Sequence, residues 1–305
     1  MSSTPVCVVG PTGSGKTAVS LALAEKLDGE VVNIDSMQLY KGMDIGTAKI
    51  TLEERGSIPH HLFDVWTVTD TASVAEYRAA AIDVVDHIMA RGHTPIIVGG
   101  SMMYVQALVD TWDFPPTDPQ VRARWQAELE RVGVGRLHET LAQIDPQAAS
   151  IIEDNDPRRT VRALEVIELT GKPFAASQPP KDQPPRWDMT LIGLHAPAQW
   201  LNPRLERRVH QMFEQGLVDE VTRLKDQGLV RESTAGQAIG YAQVLDYLDG
   251  ELSYEEAVEK TIIGTRRYAR RQRSWFQRDK RIQWIDASAP DVIEQACAVA
   301  VGARG

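Results

Sequence analysis

Short apolar runs alternate with helix-length segments through the first hundred residues. Residues 6–9, 30–34 and 95–98 are compact runs rich in valine and isoleucine, as strands buried on both faces are, while residues 15–27 and 74–91 place apolar positions three and four apart. This alternation predicts an α/β fold, a parallel sheet flanked by helices. Each run ends in a turn of unusual composition: Gly10 onward, Asp35-Ser36, and Gly99-Gly100-Ser101. Ligands of open α/β sheets gather at such carboxyl ends.

The pattern then changes. Phe114-Pro115-Pro116 and a proline-rich stretch over 177–185 bracket residues 118–171, where helical periodicity restarts at Asp118-Pro119, Asp145-Pro146 and Asp156-Pro157. An aspartate followed by proline suits an N-cap and the first helical position. The predicted organisation is an α/β core over 1–115 and 187–305, with an all-helical insertion domain over 116–186. Past the insertion come a strand at 189–194, a helix near 201–215, further helices to 276, a strand at 281–285 and a last helix. Internal repeats are absent.

With 305 residues and 43% hydrophobic content the chain is long enough to bury its own core. No basic, apolar leader opens it and no apolar run approaches the roughly 20 residues of a membrane helix, so a cytoplasmic protein without membrane contact is expected. Cys7 and Cys297 stand alone, as buried thiols do.

The chemistry begins at the first turn. Gly10, Pro11, Thr12, Gly13, Ser14, Gly15, Lys16 and Thr17 form a complete G-x-x-x-x-G-K-[ST] phosphate loop between a strand and a helix. Backbone N–H groups of such a loop face a polyphosphate, the lysine offsets its charge, and the Thr17 hydroxyl can ligate Mg2+. The sheet is therefore P-loop NTPase-like; which phosphate compound it holds, ATP included, stays open. Asp35 ends the second strand, so its carboxylate is expected beside the phosphate, where it could accept a proton from a nucleophile. A turn or N-cap role would suit a lone aspartate equally well. Yet Asp35 runs through Ser36, Met37, Gln38 and Tyr40 into the polar segment 42–49, and long ordered loops over a phosphate site are usually functional. Residues 96–100 end in glycines rather than an acid, which argues against a mechanochemical ATPase. His60-His61 lacks partners at metal-ligand spacing.

The net charge of −9 argues against a uniformly basic nucleic-acid binder, but it hides an asymmetry. Residues 266–281 hold eight Arg or Lys against one Asp, with Tyr268, Trp275 and Phe276 among them. Aromatics interleaved with guanidinium groups suit looped RNA, while the same spacing also serves a solvated helix face or a core stripe. Arg204, Arg207 and Arg208 near the start of a helix invite an anion. Arg158, Arg159 and Arg162 lie one turn before Glu165 and Glu168, and a salt-bridged surface explains them as readily as RNA does.

Together these segments resemble the tRNA dimethylallyltransferase family, also called tRNA isopentenyltransferase. The resemblance covers nearly the whole chain and rests on the phosphate loop, on Asp35-Ser36-x-Gln38-x-Tyr40 with residues 42–49, and on Pro59-His60 with Leu62. It continues through residues 99–104, Asp156-Pro157-Arg158-Arg159 with residues 162–166, Ile239-Gly240-Tyr241-x-Gln243, and Arg271-Gln272 with Trp275. It implies transfer of a dimethylallyl group from dimethylallyl diphosphate to N6 of the adenosine 3′-adjacent to the anticodon, in tRNAs reading codons that begin with U. The diphosphate would be a leaving group held by the loop, Mg2+ and Arg208. Asp35 would accept the N6 proton, with Lys16 and Thr17 completing the catalytic set. The partner is the tRNA anticodon stem-loop, and the enzyme is expected to act as a monomer. RNA contact is implied for Asp35, Ser36, Met37, Gln38, Ser101, Arg122, Arg158, Arg159, Thr160, Val161, Arg162, Gln237, Ile239, Gly240, Tyr241, Arg270, Arg271, Gln272 and Trp275. Ser101 stands where threonine is commoner, and Gln237 and Ala242 where some relatives carry arginine. A kinase for a small molecule would share the loop, Asp35 and the α/β core but leave the basic-aromatic stripe and the paired arginines unexplained; an adenylate prenyltransferase would resemble the core more than the insertion and the arginine-rich end.

Overall fold

The computed structural model describes residues 4–111, 115–174 and 183–302. Two compact units emerge, Met1–Val109 with Pro184–Gly305, and Asp110–Gln183. The second starts and ends a few residues ahead of the bounds read from the prolines. Phe114 and residues 177–182 of the proline-rich stretch lie outside the described residues.

In the larger unit β1 (Val6–Val9), β2 (Gly29–Asn33), β3 (His60–His61), β4 (Thr94–Gly99), β5 (Thr190–His195) and β6 (Gln283–Asp286) form one parallel sheet in the order β3-β2-β4-β1-β5-β6. The chain builds β2, β3 and β4 on one side of β1 and then β5 and β6 on the other, which makes the end of β1 the switch point where ligands of such sheets bind. The five strands expected from sequence are present. β3 is the addition, two residues at an edge, too short to carry a period.

Four helices of this unit precede the insertion: α1 (Lys16–Leu27), α2 (Leu52–Arg55), α3 (Val74–Ala90) and α4 (Met102–Val109). The second unit carries α5 (Pro119–Val132), α6 (Val134–Ile144), α7 (Pro146–Ile151) and α8 (Pro157–Thr170). After it come α9 (Ala198–Glu214), α10 (Leu217–Asp226), α11 (Tyr241–Leu248), α12 (Tyr254–Phe276) and α13 (Val292–Gly302). Strand alternation sorts the apolar side chains between two faces. Cys7, Val9 and Ile97 pack with Tyr77, Val85 and Ile88 of α3 and Leu108 of α4. Val6, Val8 and Ile96 pack with Leu23 of α1, Leu201 and Leu205 of α9 and Ala296 of α13. A third core joins α9 to α12 through Phe213, Leu217, Tyr241 and Ile262 and takes in Tyr40 and Met43.

The second unit has its own core, Leu137 and Leu141 of α6 with Ala148, Val161 and Leu164. Each of its Asp-Pro pairs starts a helix as read from sequence: Asp118, Asp145 and Asp156 are N-caps that accept first-turn amides. Such a cap is worth about 1 kcal/mol. Among the described residues no helix is long and apolar enough to cross a membrane. Cys7 is buried, and burial pushes its thiol up to about 12.

Candidate active site

The phosphate loop leaves β1 and feeds α1. Gly15 caps that helix without a side-chain bond, so the first-turn amides stay available to an anion. Lys16 Nζ lies across the loop, donating to the carbonyls of Gly10 at 3.0 Å and Pro11 at 2.8 Å. Burial lowers the ammonium to about 8, against the opposing pull of Asp35, while Arg208 lowers it further. Arg208 sits beside the loop, with Nη1 in a long contact of 3.5 Å to Thr12 Oγ1.

Asp35 stands just past β2, with β4 between that strand and β1, and is held from several sides. Its N–H donates to Asn33 Oδ1 at 2.9 Å, and Asn33 Nδ2 donates back to the Asp35 carbonyl at 3.1 Å and to the Leu62 carbonyl at 2.8 Å. Its carboxylate accepts from Met37 N–H at 3.2 Å, so the N-cap role also holds, over the short 3-10 turn 36–39. Desolvation raises the Asp35 pKa, countered by Lys16, the Met37 amide and Arg208. Buried Ser101 accepts from Ser36 N–H at 2.9 Å and shares a 3.0 Å hydroxyl contact with Ser36.

Lys16, Arg208 and Asp35 face one cavity of about 480 Å³. Thr12, Gly13, Gly15, Lys16 and Thr17 line it together with Asp35, Gln38 and the cations Arg204, Arg207 and Arg208. Asp35 is the only carboxylate in that lining. Val31, Ile50, Phe63 and Val98 add apolar wall. A polyanion with a small apolar tail fits this chemistry, and one carboxylate stands among four cations.

Two braces hold the cavity's walls. Gln272 of α12, 1% exposed, accepts from Thr12 N–H with Oε1 and donates to the Gly100 carbonyl with Nε2, both at 2.9 Å. A Cβ on Gly100 would lie 2.2 Å from Gln272 Nε2, so a larger residue there would displace the Gln272 amide from its two partners. The second brace is Glu220 of α10, 2% exposed, which accepts from the N–H groups of Asp44, Ile45 and Gly46 and from Tyr241 Oη at 2.6 Å. A Cβ on Gly46 would meet the Tyr241 ring at 2.5 Å. Lys49, also buried, ties the same segment to the Tyr40 carbonyl, Asp44 and Asp64.

Several residues expected to touch RNA are therefore used internally. Gln272 has both ends of its amide engaged, and Tyr241 is 0% exposed with its hydroxyl given to Glu220. Gly240 is buried; Ile239 and Met37 are half-buried. Trp275 packs against the core, while Arg270 and Arg271 are exposed, the latter beside the Tyr268 ring. Gln237 is exposed and bonds the Glu232 carbonyl. In the insertion unit Thr160 and Val161 are core residues. Arg122 and Arg162 both grip Glu165, which is 0% exposed and also accepts from Thr117 and the Asp118 amide. Those donors hold its carboxyl down at about 2 against burial. Arg158 and Arg159 alone of that set are exposed without an ion pair among the described residues. Asn33, Lys49 and Glu220 escaped the sequence reading. Only the inward spacing of Glu220 among Leu217, Val221 and Leu224 hinted at a buried acid.

The sequence profile of the IPP transferase family matches residues 38–279. The chain is 72% identical over 292 residues to the tRNA dimethylallyltransferase of Corynebacterium jeikeium, covering 96% of this chain and 94% of that one. Identity to the Corynebacterium efficiens enzyme of the same name is 68% over 285 residues, 93% and 95% of the two chains. Among solved structures, the full-length tRNA isopentenylpyrophosphate transferase of Bacillus halodurans is 39% identical, with a TM-score of 0.73 over 99% of this chain and 97% of that one. A eukaryotic dimethylallyltransferase acting on tRNA superposes with a TM-score of 0.81 at 29% identity, over 98% and 78% of the chains. The chain belongs to the IPP transferase family.

Proposed function

We propose that this protein transfers a dimethylallyl group from dimethylallyl diphosphate to N6 of the adenosine 3′-adjacent to the anticodon of tRNA. The observation that carries the reading is one carboxylate, Asp35, sharing a cavity with the phosphate loop, with Lys16, Arg204, Arg207 and Arg208 and with an apolar wall. N6 attacks the allylic carbon, the carbon–oxygen bond breaks, and diphosphate leaves with the electron pair. Asp35 accepts the N6 proton, a task worth roughly 10²–10⁴-fold. The loop amides, Lys16 and Arg208 stabilise charge gathering on the departing diphosphate.

Thr17, exposed in the cavity lining, offers one hydroxyl oxygen. The described residues contain no cluster of three or more His, Cys, Asp or Glu. That donor set fits Mg2+, which binds through one or two protein oxygens plus phosphate and water. When bound it would neutralise the diphosphate. The target base must leave its stack at a cost of a few kcal/mol, lowest in a strained loop. Ser36, Gln38 and Ser101 near Asp35 suit that base, and the exposed Arg158, Arg159, Arg270 and Arg271 suit the RNA backbone.

The test is incubation with dimethylallyl diphosphate and tRNA, followed by nucleoside mass spectrometry. Dimethylallyl-adenosine in tRNA with release of intact diphosphate is expected. Phosphate passing from ATP to a small acceptor, or prenyl transfer to AMP but not to tRNA, would overturn the reading.

A further inference from the structure

The base of the proposed transfer sits where β2 has just ended, and its position depends on what holds the chain there. Asn33, the last residue of β2, is 1% exposed, and an amide side chain is costly to bury without partners. Both ends of that amide are engaged. Oδ1 accepts from the Asp35 N–H at 2.9 Å, which closes an Asx turn, and Nδ2 donates to the Asp35 carbonyl at 3.1 Å and to the Leu62 carbonyl at 2.8 Å. The Asn33 carbonyl accepts from the buried Tyr77 Oη of α3 at 2.8 Å, which anchors the clamp in the core. Gly99 at the end of β4 packs directly on the Asp35 main chain, since a Cβ there would lie 2.8 Å from the Asp35 nitrogen. The neighbours Val31, Val32 and Ile34 are apolar core. Because β2 pairs through its main chain, an apolar residue at 33 would keep the ladder and lose the clamp.

The bond to Leu62 reaches a different wall of the same cavity. Leu62 and Asp64 hold positive φ, 61° and 56°, a region that bulky side chains disfavour. They flank Phe63, which lines the cavity and lies under the Arg55 guanidinium at 4.6 Å. Asn33 holds the Leu62 end of this turn by its carbonyl, and Lys49 holds the Asp64 end by its carboxylate at 2.6 Å. Strain of this kind persists only where the surroundings enforce it, and it gathers at ligand sites. We infer that Asn33 is a positioning residue for the transfer: it fixes Asp35 at the cavity and, through Leu62, sets Phe63 as the wall against which the allyl tail packs. One buried amide thus ties the base and the apolar wall into a single frame, and it acts through them without touching either substrate. The inference rests on the prenyl-transfer reading above.

The experiment measures transfer from dimethylallyl diphosphate to a synthetic anticodon stem-loop for wild type, Asn33→Ser and Asn33→Ala, the last also combined with Asp35→Asn. A serine hydroxyl can close the same turn onto the Asp35 N–H but is too short to reach Leu62. Asn33→Ser is therefore expected to keep kcat within about twofold of wild type and to raise KM for the donor about threefold to tenfold. Asn33→Ala should raise that KM as much and also lower kcat about tenfold, with RNA affinity unchanged. Added to Asp35→Asn, the alanine substitution should cost no further kcat, because the group it positions is already gone. A folded Asn33→Ala enzyme with wild-type kcat overturns the inference. A further fall of about tenfold on top of Asp35→Asn does so too, since Asn33 would then act on the fold and not through the base. So does a donor KM that moves in neither variant. Should the alanine variant not fold, the serine variant decides: kcat kept with a raised donor KM supports the inference, and any other pair overturns it. Wild-type transfer to the stem-loop is the control: if transfer occurs, these failures touch Asn33 alone, and if it does not, the tRNA reading fails first.

Discussion

Arginines of the insertion unit and arginines of the larger unit look alike in sequence and serve opposite ends in the structure. Arg122 and Arg162 turn inward onto Glu165, whose carboxylate is fully buried and accepts from both, from Thr117 and from an amide. Arg204, Arg207 and Arg208 face a cavity whose only acid is Asp35. A guanidinium is free for a ligand only where no buried acid claims it, and composition does not reveal which acids are buried. In the insertion unit the charge holds a fold; beside the phosphate loop it waits for an anion.

The largest effect should come from the ligand-facing side. Arg208→Ala is expected to slow transfer by about 10²–10³-fold with little change in melting temperature. A fall in melting temperature large enough to explain the loss would make Arg208 structural and erase the contrast. On the other side, Glu165→Ala takes the acceptor from the Thr117 hydroxyl and the Asp118 amide and the partner from two partly solvated arginines, and should destabilise the insertion unit by about 1–3 kcal/mol. Hydrogen exchange at the amides of α5 and α8 would report it, and unchanged protection there would contradict the assignment.

Gln272→Met removes two hydrogen bonds between the phosphate loop and the Gly100 turn at nearly constant volume. The expected cost is about 2 kcal/mol of stability, with a slower turnover rather than weaker RNA binding. If RNA affinity falls while turnover at saturation holds, Gln272 contacts RNA after all. Smaller again are the pH effects. Glu165 has a depressed pKa, so the stability it lends is full above its ordinary value and drains as pH falls toward about 2. Lys16 is charged below about 8, so diphosphate affinity in the donor-free enzyme should weaken as pH rises through that value. A diphosphate affinity flat across that range would remove Lys16 as the titrating cation.

The two regions also differ in how far they could be read beforehand. Strand positions followed from valine-rich runs, though not the order of the strands in the sheet, and the Asp-Pro pairs gave the helix starts of the insertion because capping is local chemistry. The phosphate loop and Asp35 were legible for the same reason: motif and strand end lie in one short stretch. What sequence could not give was the use of side chains across long separations. Gln272 reaches Thr12 over 260 positions, and Glu220 reaches the 44–46 amides over more than 170. Both are polar residues on amphipathic helices, and tertiary packing across those separations turns them inward. The segments holding Tyr241 and Gln272 match the family, which implies RNA contact; the structure adds that both side chains brace the fold, and a motif match alone does not separate the two roles.

The central claim is that Asp35 takes the proton while the cationic loop releases diphosphate, and Asp35→Asn tests it most directly. The substitution keeps the shape and can still accept the Met37 N–H, so rates of prenylated-nucleoside formation can be compared at saturating RNA and donor. The account expects affinities for RNA and donor within a few-fold of wild type and transfer at least about 10²-fold slower; transfer near the wild-type rate would contradict it.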